Sequence, residues 1–392
     1  MEEILNNPYL QPLIATLLIV ALFPLVAGYI VLAERKVLAD LQVRLGPMRV
    51  GPYGFLQPLA DAFKLLLKED IIPAAADKWI FWGAPILSTF TALTAFAVLP
   101  LSDKFYVADV NIGILFVLAM SSIGILGLIL GGWSSNSKYS LMGSLRSAAQ
   151  MVSYEVPLGF AVVTGLMVAE TLSMQGIVLA QLEKGVWIAF SNYGLMLVPT
   201  VLFLIAGVAE TNRAPFDLPE AESEIVAGFH TEYSGFRFAL YFLAEYASIF
   251  VISSVAVTLF FGGWLRPFPN VAFLEMPLNV GFPILLFGAI GFGCALGVKR
   301  LMLTEQRAVM AVLTAAMLGL VLLFALPQVN PFIIGLFWFL LKVSLFVYTF
   351  IWFRGTFPRF RYDQLMDVGW KYLIPISLGS LIVNGIVLLA TS

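Results

Sequence analysis

AETNRAPFDLPEAESEIVAGFHTEYSG, residues 209–235, separates two long apolar segments of the chain. This acidic loop holds six of the 24 acidic residues beside a single base, Arg213. The six acids are Glu210, Asp217, Glu220, Glu222, Glu224 and Glu232. Carboxylates crowded beside hydrocarbon cannot all stay ionised, so we expect them to titrate as a coupled set that holds and transfers protons.

The backbone of the acidic loop is predicted to be irregular in its first half. Pro215 and Pro219 each remove an N–H group and restrict the preceding residue, which disfavours a regular helix there. Irregular backbone at membrane depth is tolerated only inside protein or beside a watery cavity. The alternative is a solvated acidic loop that merely joins two helices, and the loop alone does not separate these two interpretations.

The composition places the chain in a lipid bilayer. Of its 392 residues, 60% are hydrophobic and 12% are charged, and the mean hydropathy is +0.94. The single cysteine, Cys294, and the single histidine, His230, are too few for a thiolate-bound iron–sulfur cluster or a tetrahedral zinc site in this chain alone. The net charge of −2 gives no indication of nucleic acid. The acidic N-terminus does not look like a cleaved signal peptide.

Apolar runs predict ten membrane spans, because about 20 apolar residues are needed to cross a bilayer. The spans are 12–33, 79–101, 111–133, 151–172, 193–209, 238–262, 280–298, 308–326, 331–353 and 372–391. With the connecting segments placed alternately on two sides, only Lys104, Lys184 and Arg266 of the 22 basic residues fall on the outer side, while Lys342 lies inside a span. The positive-inside rule then puts both termini outside the cytoplasm.

We therefore predict one all-α integral membrane bundle over residues 1–392, with about ten transmembrane helices and an interfacial amphipathic helix. The amphipathic helix lies in the cytoplasmic segment 34–78, where Gln57, Asp61, Lys64 and Lys68 share one face. A surface helix that tethers the loop and one that lines an opening remain equal alternatives. The acidic cytoplasmic loop is taken to span residues 209–237.

Charged residues within spans require an explanation, because a charge near mid-bilayer costs about 2.5–3.5 kcal/mol on insertion scales. Four acids fall in or beside the cytoplasmic half of the bundle: Glu34, Glu155, Glu210 and Glu245. Ion pairing or helix capping is the simpler role, especially for Glu34 beside Arg35 and Lys36. Our hypothesis is that Glu155, Glu210, Glu245 and the loop carboxylates form a proton-conducting file towards the midplane. We add Lys342, inside the ninth span, as a candidate relay residue.

Several motifs, in order along most of the chain, resemble the H-type membrane subunit of bacterial NADH:quinone oxidoreductase, the respiratory complex I. They are AERK (33–36), RLGP (44–47), VGPYGFLQPLADAFKLLLKED (50–70), SNSKYSLMGSLRSAAQMVSYE (135–155), the acidic loop, LAEY (243–246), WFLLK (338–342) and RGTFPRFRYDQLMDVGWK (354–371).

The resemblance implies a subunit that forms much of a chamber for a long-tailed quinone and couples its reduction to proton translocation. It implicates Glu155, Glu210, Glu220, Glu222, Glu224 and Glu245 in the proton route. It assigns to the chamber wall or docking surface Glu34, Arg35, Lys36, Asp61, Lys64, Arg213, Phe216 and Phe229. Quinone is then a substrate, and flavin, iron–sulfur clusters and nucleotide belong to peripheral-arm partners. The implied location is the bacterial plasma membrane, beside other membrane-arm subunits and lipid.

The sequence departs from the family pattern at two places. Met48 stands where the family has Asn, and the familiar members have about eight spans, so 280–326 is predicted to be an additional helical hairpin. Two other functions stay open. A ferredoxin- or hydrogenase-type redox pump has related membrane subunits, and a stand-alone transporter would use Glu155, Glu245 and Lys342 as ligands. The absence of a detectable inverted repeat disfavours the transporter.

Overall fold

A computed structural model describes residues 10–217, 227–300, 304–327 and 329–391, and within these ranges the chain is helical with no β-strand. The helices, in chain order, are α1 (Leu10–Leu41), α2 (Gln57–Leu67), α3 (Lys78–Ala95), α4 (Gly113–Ser134), α5 (Lys138–Ala169), α6 (Met174–Lys184), α7 (Leu197–Glu210), α8 (Gly235–Phe260), α9 (Phe282–Arg300), α10 (Thr304–Ala325), α11 (Asn330–Thr356), α12 (Tyr362–Asp367) and α13 (Ile374–Thr391).

The predicted class, an all-α integral membrane protein, is confirmed. In the described ranges nine helices are long and apolar enough to cross a membrane. The fifth predicted span, 193–209, is wrong in length, because α7 has 14 residues and a length of about 21 Å. Two short 3₁₀ turns precede it, with left-handed backbone at Asn192 and Tyr193. The predicted span begins inside the second turn, because a hydropathy average does not register backbone conformation.

The helix that carries the fourth predicted span, 151–172, begins well before that span. Helix α5 begins at Lys138 and has 32 residues, about 48 Å, so it extends well beyond a hydrocarbon core of about 30 Å. Glu155 therefore lies in the middle of α5 and not in a first turn. The serines of the early turns, Ser140, Ser144 and Ser147, lower the hydropathy but are fully buried in protein.

Helix α8 is at the centre of the bundle. Every residue from 249 to 260 is buried, and the helix packs against α3, α11, α1, α6 and α7. Helix α5 packs against α7, α4 and α13 on the neighbouring side. The acidic loop begins at the end of α7 and ends at the start of α8. Both ends of the loop are therefore attached to helices that are largely buried in the bundle.

Helix α2 and the pair α9–α10 lie at the periphery of the bundle. Helix α2 has no buried residue, and Gln57 donates to Asp61 across one turn (2.9 Å), as the predicted polar face requires. Lys68 lies just past the end of this helix. Helices α9 and α10 pack against each other as a hairpin that contacts α11 and the turn Pro52–Gly54.

Gly143 of α5 determines how closely the loop approaches the bundle. A Cβ atom there would lie 2.6 Å from Cα of Gly228, whereas a Cβ at Gly159 of the same helix would meet nothing within 4 Å. We expect Gly143→Ala to lower the free energy of unfolding by about 1–3 kcal/mol through overpacking. Gly159→Ala should raise it by about 0.5–1 kcal/mol, because alanine favours a helix more than glycine does. Thermal unfolding in detergent tests both, and equal stability of the two variants would contradict the contact.

Candidate functional site

A buried ion-pair cluster joins three helices to the acidic loop. Arg213, just after α7, contacts Glu34 of α1 (Nη1–Oε1, 3.2 Å) and Glu245 of α8 (Nε–Oε1, 3.0 Å). Arg354 of α11 also pairs with Glu34, and the Tyr246 hydroxyl donates to Glu34 Oε2 (2.7 Å). The side chains of Arg213 and Glu34 are only 5% and 7% exposed. The cluster is therefore shielded from solvent.

Arg213 is the cation that two carboxylates share. Burial by itself disfavours its charged form, but Glu245, the Tyr246 oxygen and Glu34 hold the pKa of Arg213 well above the usual range. Its guanidinium also lies over the Tyr246 ring, 4.5 Å from the centroid. A permanently charged group is thus placed between Glu34 and Glu245. Any change in the charge of one acid alters the field at the other.

The predicted partner of Glu34 is corrected by this geometry. Glu34 points into the bundle, whereas its sequence neighbours Arg35 and Lys36 are directed elsewhere. Arg35 pairs with Asp61 of α2 (2.7 Å), and Lys36 Nζ donates to the Tyr53 carbonyl (2.6 Å). Adjacent positions on a helix do not share a face, so a local Glu34–Arg35 pair was the wrong expectation.

A cavity of about 100 Å³ lies beside the cluster. Most of its wall is apolar, but Glu210, Glu245 and His230 reach it, together with Ser121 and Ser248. A water needs roughly 10–15 Å³ of such space and two to four polar partners, so this cavity has room for several waters. The cavity brings together two of the predicted relay acids.

Glu155 approaches the same region from α5. Ser122 of α4 donates to Glu155 (2.8 Å), and the adjacent Ser121 contacts Glu210 at the cavity wall. Glu155 and Glu210 also lie close enough to interact electrostatically. Glu155 therefore lies near Glu210, which shares the cavity with Glu245. Glu220, Glu222 and Glu224 lie outside the described residues.

The first part of the acidic loop is clamped to the bundle. Gln150 of α5 donates to the carbonyls of Ala209 and Phe216 (2.8 Å each), and the Phe216 ring lies between those of Tyr154 and Phe360. Asp217 pairs with Arg359 (2.9 Å). Asp217 is thus held by an ion pair at the described end of the loop, and Phe216 packs beneath it.

The part of the acidic loop that leads into α8 carries Phe229 and His230, which both line the cavity. Their rings are 3.9 Å apart, and Tyr241 stands edge-on to each. Burial lowers the pKa of His230 to about 3, so the imidazole is neutral at physiological pH. Sequence reasoning did not assign His230, although its place as the only histidine within the acidic loop was a signal.

Lys342 lies apart from the carboxylates. Its ammonium donates to the carbonyls of Phe261 (2.7 Å) and Leu265 (2.9 Å), beyond the last turn of α8. Glu245 precedes Phe261 by sixteen residues, which corresponds to roughly 24 Å along the axis of α8 at 1.5 Å per residue.

Lys64, another predicted site residue, is exposed on α2. Arg354, Arg359 and Tyr246 were missed as site residues, although buried acids imply such partners.

Comparison with known proteins identifies close relatives. The family described as NADH dehydrogenase matches residues 14–385. The chain is 64% identical to H subunit 2 of the NADH-quinone oxidoreductase of Solibacter usitatus (strain Ellin6076), over 98% of each chain. It is 52% identical to H subunit 1 of the NADH-quinone oxidoreductase of Koribacter versatilis (strain Ellin345), over 96% of this chain and 92% of that one. The H subunit of the Paramagnetospirillum magneticum enzyme is 41% identical over 96% of this chain and 93% of its own.

The shared cation predicts a large difference between two arginine variants. Arg213→Met removes the group that neutralises two buried acids, and we expect the free energy of unfolding to fall by about 3–5 kcal/mol. Arg35→Met breaks a more exposed pair and should cost no more than about 1 kcal/mol. Denaturation of the purified protein in detergent measures both. Equal losses in the two variants would show that Arg213 is not the central ion-pair partner.

His230 predicts a pH dependence. Its pKa of about 3 in the folded protein lies below the value of about 6.5 for an unperturbed histidine. Below pH 6.5 the unfolded chain therefore binds a proton that the folded chain does not, and stability falls by up to about 1.4 kcal/mol per pH unit. We expect His230→Asn to lose less stability between pH 7.5 and 5 than the parent protein. An unchanged pH slope of the unfolding midpoint would contradict this.

Proposed function

This chain belongs to the H-subunit family of NADH-quinone oxidoreductase, the respiratory complex I, and from that membership we propose that it forms part of the quinone chamber and couples quinone reduction to proton translocation. It is a multi-pass membrane subunit of an oxidoreductase. The observation that carries the proposal is Arg213, shared by Glu34 on one side and by Glu245, which opens onto the cavity, on the other.

The chamber is proposed to lie on the side of α1 and α2. Arg35, Lys36, Asp61 and Lys64 form a polar surface there, and Glu34 lies directly behind it. We assign this surface to docking of a peripheral-arm subunit, which completes the chamber around the quinone head. Phe229 contributes to the wall of the inner cavity, and Phe216 supports the loop from behind.

The coupling step uses the shared arginine. A negative charge that forms on the reduced quinone raises the proton affinity of Glu34, the nearest buried acid. Once Glu34 is neutral, Arg213 interacts more strongly with the Glu245 carboxylate and keeps it ionised. When Glu34 later gives up its proton, Arg213 is drawn back towards Glu34, and Glu245 becomes a better acceptor for a proton from Glu210 across the cavity waters. Loss of a proton from one acid of the pair is thus matched by uptake at the other, so the cluster alternates between two states of the same net charge.

The relay is proposed to continue from Glu210 through the Ser121–Ser122 pair to Glu155. The loop acids Asp217, Glu220, Glu222 and Glu224 would connect the cluster to the cytoplasmic face. Lys342 stays a predicted relay residue at the other end of α8, where it now binds backbone carbonyls. Buried acids connected by hydroxyl groups and a water-sized cavity are the arrangement that proton transfer requires.

The wider setting follows from the same proposal. Electrons reach the quinone from iron–sulfur subunits of the peripheral arm, and flavin, clusters and nucleotide are bound there. Other membrane-arm subunits and lipid surround the bundle in the bacterial plasma membrane, with both termini outside. Family membership favours NADH as the donor over ferredoxin or hydrogen, and it favours a subunit of a complex over a stand-alone transporter.

The relay is tested by Glu155→Gln and Glu245→Gln, with Glu170→Gln as the control. Glu170 ends α5 with a side chain 82% exposed, so it lies outside the proposed route. Glutamine keeps the size of the side chain but cannot exchange a proton. We expect NADH-driven proton translocation in proteoliposomes to fall by about 10²-fold or more in the two relay variants. Full pumping by both assembled variants would refute the relay.

A further inference from the structure

The hairpin α9–α10 forms a groove against the first cytoplasmic loop, outside the proposed chamber and relay. The groove has a volume of about 400 Å³. It is lined by Ile290, Gly293 and Gly297 of α9, by Met310 of α10 and by Tyr53 of the loop. Gly293 faces open space, since a Cβ there would meet nothing within 4 Å. The groove is therefore accessible and apolar along most of its length.

Basic residues stand at the end of the groove where the hairpin turns. Arg307 lies one helical turn before Met310 and is exposed, and Lys299 is exposed near the end of α9. On the opposite side the ammonium of Lys36 is fixed on the carbonyl of Tyr53 (2.6 Å). None of the residues that line the groove is acidic. An apolar channel with cations at one end matches a ligand with an anionic head and a hydrocarbon tail.

The size of the groove distinguishes a lipid chain from a protein helix. A helix with its side chains is about 10–12 Å across, so roughly 400 Å³ holds less than one turn of it. An extended acyl chain is much thinner and occupies the same volume over a longer distance. The hairpin and the loop carrying Tyr53 are both placed on the cytoplasmic side by their basic residues, and the cytoplasmic leaflet carries the anionic lipids.

We propose that this groove binds one anionic phospholipid, with an acyl chain between Tyr53 and α9 and the phosphate at Arg307 and Lys299. The lipid joins the hairpin to the loop that precedes α2, where few protein contacts do so. It thereby gives the additional hairpin a role, which is to hold a lipid against the cytoplasmic rim of the bundle. This assignment does not depend on the quinone or proton route.

The test uses the intact complex purified in mild detergent and reconstituted into vesicles of phosphatidylcholine and phosphatidylglycerol. A phosphatidylglycerol probe with a photoactivatable group in its acyl chain is crosslinked, and labelled peptides of α9 and α10 are quantified by mass spectrometry. Gly293→Leu fills the groove and should abolish the labelling. Gly288→Leu is the matched control, because Gly288 of the same helix also faces open space but does not line the groove.

The head group is tested separately with Arg307→Gln. We expect labelling by the phosphatidylglycerol probe to fall about fivefold, the effect of removing one basic residue near an anionic lipid surface. A phosphatidylcholine probe with the same chain should label weakly and should not respond to this substitution.

Four results would overturn the proposal. The first is equal labelling by the two head groups, and the second is labelling that survives Gly293→Leu as well as Gly288→Leu. The third is displacement of the phosphatidylglycerol probe by a neutral long-chain quinone, which would assign the groove to a quinone tail. Crosslinking of the groove to a neighbouring protein subunit instead of the probe would equally exclude a lipid there.

Discussion

The fold depends on the neutralisation of acids that lie away from water. Removing a charged side chain from water costs several kcal/mol, and only a close partner with good geometry repays that cost. Arg213 serves two carboxylates at once, and Arg354 and the Tyr246 hydroxyl complete the coordination of Glu34. These contacts connect α1, α8, α11 and the loop after α7. The positions of four separate parts of the chain are therefore tied to one group of charges.

Much of the fold could be predicted from the sequence, because bilayer thickness limits what an apolar run can do. The errors arose where the hydropathy of the residues does not match their backbone conformation or burial. Asn192 and Tyr193 turn the chain with left-handed backbone just before an apolar run, and α7 begins only at Leu197. Conversely, Ser140 and Ser144 look like loop residues but are buried in the first turns of α5. Their hydroxyl groups bond within the protein, so they need no water.

The candidate site was less predictable, because its acids are joined by long-range contacts. The residues Glu155, Glu210 and Glu245 were found from the cost of a charge in the membrane. Which base would reach Glu34 depended on packing, since 179 positions separate Glu34 from Arg213. Lys342 shows the limit of this reasoning. It is an intramembrane charge as expected, yet it contacts carbonyls at a helix end and no acid in the pairs described.

The late position of Arg354 and Arg359 in the chain has a consequence for biosynthesis, because these residues pair with Glu34 and Asp217. Arg354 follows Glu34 by 320 positions, and Arg359 follows Asp217 by 142, so both cations leave the ribosome late. During most of translation these acids lack their final partners, and in hydrocarbon they persist more easily as neutral acids. The ion-pair network closes only when the last helices have inserted. A chain that stops before residue 354 would thus retain Arg213 and every proton-carrying acid of the proposed route, but not the second cation of Glu34 or the cation of Asp217.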